Sequence, residues 1–195
     1  MKTLLSAVAI GLAAFTAADR VEATQLNYAI DAPVIDLPFA TADYAEFSGT
    51  GDLTMFFAEG LATGTPQSGD LFVDLVLGFD PLDPAGTAFG SLFSVDDDGA
   101  FLDGDVLRTG FDGDVLQVVF GNLTGKAAGD FGRFALLELV FIFPSAGTDP
   151  LTTLIDGEAY DVAGTIYAAT PIPVPAALPL MAAALGGLVL LRRRR

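Results

Sequence analysis

Short apolar or alternating runs recur through the middle of this chain, each stopped by a turn signal, and they confine it to β-structure. The runs are Gln25–Ile30, Glu46–Ala58, Leu71–Phe79, Ser91–Val95, Val115–Phe120, Phe134–Phe143 and Ala159–Ala168. Leu71–Phe79 and Phe134–Phe143 are bounded by Gly and Pro and are rich in aromatic and β-branched residues, which suits strands. A helix over Phe134–Phe143 is the alternative for that run. The connectors Ala62–Asp70, Asp80–Pro84, Asn122–Asp130 and Ser145–Pro150 collect Gly, Asp, Pro and Thr. Strands at this spacing predict an all-β fold, a two-sheet β-sandwich or jelly roll, with a helix before and after it.

Those flanking helices follow from the two ends. Met1-Lys2-Thr3 is a short positive segment, Leu4 to Phe15 is apolar, and small residues follow. This is the order of a secretory signal peptide. Cleavage after Ala23 or after Ala18 satisfies the small-residue rule. Ala23 is preferred, because Asp19, Arg20 and Glu22 would otherwise begin the mature chain. At the other end, Ala176 to Leu191 carries no charge and runs into Arg192, Arg193, Arg194 and Arg195. With Ile172 to Pro175 it reaches the roughly twenty residues that a ~30 Å hydrocarbon layer requires. The arginines orient it with its C-terminus in the cytoplasm. From Pro179 onward, however, the helix is short for a permanent span, and Gly186 and Gly187 weaken it. An ordinary C-terminal anchor is the alternative. The expected divisions are a signal peptide over 1–23, a mature domain over 24–169, a proline-rich linker and motif over 170–176, a transmembrane helix over 177–191 and an arginine tail over 192–195.

Ile172-Pro173-Val174-Pro175-Ala176, the Leu178-Pro179-Leu180 that follows, the apolar run and the arginine block together resemble the VPLPA-CTERM sorting signal. That signal is a variant of the PEP-CTERM class of Gram-negative bacteria that make extracellular polysaccharide. Ile172 stands where the family has Val, and Val174 where it has Leu; both keep an apolar side chain. The resemblance covers about the last 24 residues only. It implies recognition by an exosortase, an integral-membrane cysteine transpeptidase, and passage through an inner-membrane intermediate to the cell surface or biofilm matrix. The alternating prolines hold Ile172 to Ala176 extended and poor in backbone donors, a form that a protease-like cleft engages.

Charge and composition narrow the function of the body. Of the chain's 25 acidic residues, 23 lie between Thr24 and Pro171, against three basic ones, Arg108, Lys126 and Arg133. That segment has a net charge of −20, compared with −16 for the whole chain. Such a surface excludes nucleic acid and anionic lipid head groups as partners, since phosphate contact needs cations. Cysteine, histidine and tryptophan are all absent. Nucleophile systems built on Ser-His-Asp or Cys-His are thereby removed, as are the usual zinc sites.

One stretch holds a candidate chemistry. Asp96, Asp97, Asp98, Asp103, Asp105, Asp112 and Asp114 are interleaved with glycines between Ser94 and Asp114. Flexible Asp-Gly loops offer the oxygens that Ca²⁺ prefers. The stretch lacks the EF-hand spacing, and its Asp103–Leu107 and Asp112–Leu116 copies, nine residues apart, resemble calcium-binding nonapeptide repeats without their paired glycines. These aspartates are equally turn formers. Phe56, Phe57, Tyr160 and Tyr167 are expected in the core rather than along a glycan or partner groove. The sequence thus predicts an exported, non-catalytic cell-surface or matrix protein, in contact with extracellular polysaccharide. A calcium-dependent glycan- or protein-binding module and a secreted hydrolase are the alternatives, the last because paired carboxylates suffice for glycoside hydrolysis.

Overall fold

The computed structural model describes residues 25–142 and 150–172, and they form eight antiparallel strands closed into a single barrel. The strands are β1 (Tyr28–Phe47), β2 (Thr50–Thr63), β3 (Gly69–Phe79), β4 (Phe89–Asp96), β5 (Gly99–Asp112), β6 (Val115–Thr124), β7 (Phe134–Phe141) and β8 (Ala159–Pro171). Each pairs with the next, and β8 returns to β1 from Tyr28↔Pro171 to Asp43↔Ala159. The all-β expectation holds, but the sheet does not split into the two layers of a sandwich or jelly roll. The reason lies in the strands themselves. Register shifts interrupt β1 twice, β5 three times and β2 once, at Met55/Ala58. Each such bulge adds twist and bend, which lets long strands coil until the last meets the first.

Local chemistry sets the turns. Ser48 (φ 54°) and Gly49 (φ 84°) link β1 to β2 with two positive φ angles, the type I′ geometry of tight hairpins. The run Glu46–Ala58 therefore straddles a turn instead of forming one strand. Gly113 (φ 66°) opens the two-residue turn from β5 to β6. Phe134–Phe141 is strand, not helix. The longer β3–β4 connection carries a one-turn helix, α1 (Pro84–Thr87), where the Gly86 N–H donates to the Asp83 carboxylate. Another, α2 (Ala128–Phe131), follows β6, and a 3-10 turn over Pro150–Thr152 precedes β8.

Side chains fill the barrel. Ile35, Leu53, Met55, Leu75, Leu77, Val118, Phe120 and Leu137 point inward with no exposure, and Leu92 with almost none. Tyr44 stacks on Phe79 at 6.0 Å near one mouth, and Gly51 leaves room for its ring. Ser94, also fully buried, sits at the β4–β5 bulge. Its hydroxyl donates to the Leu102 carbonyl at 2.8 Å and accepts from the Leu102 N–H at 2.9 Å, replacing ladder bonds that the bulge displaces. A smaller cluster lies outside the barrel wall, where Val119, Leu136 and Ala169 are covered by Leu26, Tyr28 and Phe134. The Leu26 N–H donates to Gln117 Oε1 at 2.9 Å and fixes that cover.

Alternating strand directions sort the connections into two ends. Gln25 and Ile172 share one end with the connections that follow β2, β4 and β6; those that follow β1, β3, β5 and β7 form the other. The expected signal helix and transmembrane helix lie outside the described residues.

Candidate functional site

Of the motif Ile172–Ala176, only Ile172 is among the described residues; Pro173, Val174, Pro175 and Ala176 lie outside them, as do Ala23 and Arg192 to Arg195. What precedes the motif is strand. Thr170 pairs with Ala29 and Pro171 with Tyr28, and the Ile172 N–H donates to the Asn27 carbonyl at 3.0 Å. A free linker therefore does not start at Thr170, as proline content alone predicts. Sheet pairing holds the chain extended up to the first residue of the motif, and the Ile172 side chain is half exposed.

The seven aspartates do not share one place. The stretch read as Asp-Gly loops is the 14-residue strand β5. Its length separates Asp98 at one end of the barrel from Asp112 and Asp114 at the other by roughly 40 Å, beyond the reach of any single ion. Among the described residues, no three His, Cys, Asp or Glu side chains form a group able to hold a metal. Six of the seven instead have a local role. Asp96 accepts the Asp98 N–H at 3.0 Å and pairs with Lys126 at 2.5 Å, while Asp98 lies 3.6 Å from the same ammonium. Burial pushes the Asp96 carboxyl upward, but the Lys126 hydrogen bond and the Asp98 N–H outweigh it and hold the group below its ordinary value. Asp97 is a turn residue, Asp105 accepts from Asn122 Nδ2 at 3.0 Å, and Asp112 accepts from Gln25 Nε2 at 2.9 Å. Gly113 and Asp114 form the β5–β6 turn.

Asp103 stands apart, with a buried Oδ1 that has no hydrogen-bond partner. Burial raises its carboxyl above the ordinary 3.8, against a smaller downward pull from the Ser94 N–H. A carboxyl raised on folding adds stability that is complete below its unfolded value and is lost as pH rises through the folded value. Asp103→Asn is expected to stabilise the barrel at pH 7, with the gain shrinking to nothing as pH falls through that window. Urea midpoints of both proteins at pH 7 and pH 3 test this; an equal difference at both would refute it.

Two surface features have the shape of binding sites. A groove of about 550 Å³ crosses β8 and is lined by Asp36, Pro38, Glu138, Val140, Gly164 and Tyr167. Glu138, Thr165 and Asp36 form one cross-strand row, so the two acidic residues stand about 10 Å apart at the backbone, two strand spacings. Glu138 accepts from Gln117 Nε2 at 3.0 Å, and Asp36 from the Thr165 hydroxyl at 3.4 Å. The second feature corrects the expectation that Phe56 and Phe57 are core residues. Both lie on the outer wall, 54% and 74% exposed, beside Phe72 and Phe93 on the next two strands. Phe56 faces outward by ordinary alternation after the inward Met55, and a bulge turns Phe57 outward as well, since the chain slips register between Met55 and Ala58. That slip has no signature in residue type alone. Tyr160 and Tyr167 are partly buried; the Tyr160 hydroxyl accepts the Ile155 N–H at 2.7 Å. No family model, curated protein or solved structure matches this chain.

Proposed function

We propose that this chain is an exported, non-catalytic cell-surface or matrix protein, delivered by its N-terminal signal and sorted through its C-terminal segment by an exosortase-type transpeptidase. The observation that carries the reading is the order of parts after β8: an alternating-proline motif, an uncharged apolar run and four arginines. Strand β8 supports it physically, because the pairing of Pro171 and the bond from the Ile172 N–H hold the chain extended up to the first residue of the motif, at the mouth of the barrel. A transpeptidase binding an extended strand then spends little free energy on ordering the chain that leads into the motif. The transmembrane helix holds the substrate in the bilayer until the cut, and the barrel faces the exterior.

The acidic wall fits that destination. With 23 carboxylates against three cations between Thr24 and Pro171, the processed domain repels its own copies and anionic surfaces and stays dispersed. Mass spectrometry of protein from the native host tests the reading. The expected product begins near Thr24 and ends at or close to the Ile172–Ala176 motif. A mature product still ending in Arg195 would return the segment to a plain membrane anchor.

A further inference from the structure

The outer wall of β2, β3 and β4 holds a surface that folding does not account for. Along β3 the outward residues alternate between acid and apolar: Asp70, Phe72, Asp74, Val76. Pairing places Glu59 beside Phe72 and Phe93 beside Asp74. The Phe56–Phe57 bulge lies opposite Asp74, and the Phe57 N–H donates to Asp74 Oδ1 at 2.6 Å. Phe57 adopts φ 54°, a left-handed conformation that a bulky side chain disfavours, and it does so with its ring in solvent. A strained, exposed ring costs stability without adding to the core, which points to use by a ligand.

We propose that this face binds an extended, arginine- or lysine-bearing polypeptide segment. Two features select that occupant. The first is charge: Glu59, Asp70 and Asp74 supply carboxylates, and the rings of Phe57, Phe72 and Phe93 stand around Asp74, where a guanidinium or ammonium meets both a counter-charge and aromatic faces. A second copy of this acidic barrel offers no such complement. The second is spacing: alternate residues on β3 recur about every 6.8 Å, the period at which an extended peptide presents every second side chain. A peptide lying along β3 thus brings successive cations onto Asp70 and Asp74, with Phe72 between them. The bulge raises Phe57 as a wall at one side of that track.

The test uses the full chain and a fluorescent Arg-Thr alternating decapeptide, with its Glu-Thr counterpart as control, read by anisotropy at low and high salt. Saturable binding of the Arg-Thr peptide alone is expected, weakening steeply with salt. Phe57→Gly keeps the left-handed backbone and removes the ring; it is expected to weaken binding at least tenfold while the melting temperature holds or rises. Asp74→Asn keeps the acceptor for the Phe57 N–H and removes the charge; it is expected to weaken binding several-fold and to flatten the salt dependence. Equal loss from Asp161→Asn on β8 would show attraction to net charge alone and overturn the proposal. So would binding that survives both Phe57→Gly and Asp74→Asn. Binding of a glucosamine oligomer at this face with no binding of the Arg-Thr peptide would also overturn it, in favour of a glycan partner.

Discussion

Gly90→Ala is expected to abolish the cooperative fold or cost at least about 4 kcal/mol, at the extreme of what single substitutions do. Gly90 sits near the start of β4 at φ 135°, opposite Leu77 of β3. A Cβ there would lie 2.0 Å from the Val76 carbonyl oxygen and 2.9 Å from its carbon. Both are backbone atoms of a paired strand, so no side chain can swing aside to relieve the contact. Relief requires β3 and β4 to separate, and the barrel has no free edge into which the strain can dissipate. The left-handed backbone adds about 1–3 kcal/mol for any residue with a side chain. Gly69→Ala is the control: nothing lies within 4 Å of its added Cβ, and a change within about 0.5 kcal/mol is expected, as at ordinary surface sites. Urea denaturation followed by circular dichroism measures both. A Gly90→Ala protein that unfolds within 1 kcal/mol of the parent, on the order of an ordinary substitution, would show that β4 is not held as described.

Phe120→Ala is expected to cost about 3–5 kcal/mol, the range for deleting a fully buried ring. Phe120 lies inside the barrel with no exposure. Its cross-strand partner on β7 is Ala135, and Gly104 of β5 stands against its Cβ. The ring fills space that two small neighbours leave open, so neither can expand into the cavity. A closed sheet also resists collapse, because narrowing it at one point strains the pairing all the way round. Phe47→Ala removes the same ring at an 80% exposed position and is expected to change stability by no more than about 0.5 kcal/mol. Comparable losses from both substitutions would contradict the inward placement of Phe120.

The sequence made the class of fold legible and hid its closure. Runs such as Leu71–Phe79 and Val115–Phe120 alternate or stay apolar as strands do, and they reappear within one or two residues as β3 and the first part of β6. Closure depends instead on bulges at Asp31/Val34, Leu37/Ala40 and Met55/Ala58. A bulge is a change in pairing between strands, and residue types within one strand do not encode it. The same limit misled the reading of β5. Asp-Gly steps that form turns elsewhere are here absorbed into a strand, since Asp103 and Asp105 face outward while Leu102 and Gly104 face in. The Asp96–Asp98 and Asp112–Asp114 clusters do make the turns that Asp and Gly favour. They sit at opposite ends because the length of β5 separates them. The motif at Ile172 is legible as chemistry, but the bond that ties its first residue to Asn27, at the end of the β1–β8 pairing, is visible only in three dimensions.

That pairing has a mechanical consequence. Asn27 and Ile172 are hydrogen-bonded neighbours just beyond the paired ends of β1 and β8, so Asn27 and Ile172 stand side by side at one seam. Tension applied between those two points does not load the β1–β8 ladder in parallel. Once the Gln25–Asp112 and Leu26–Gln117 bonds give way, it opens the ladder like a zipper, from the Asn27–Ile172 bond to Tyr28↔Pro171 and onward, one pair at a time. A closed barrel is thereby built to yield at low force along one line, and a barrel held at one end only never feels that force.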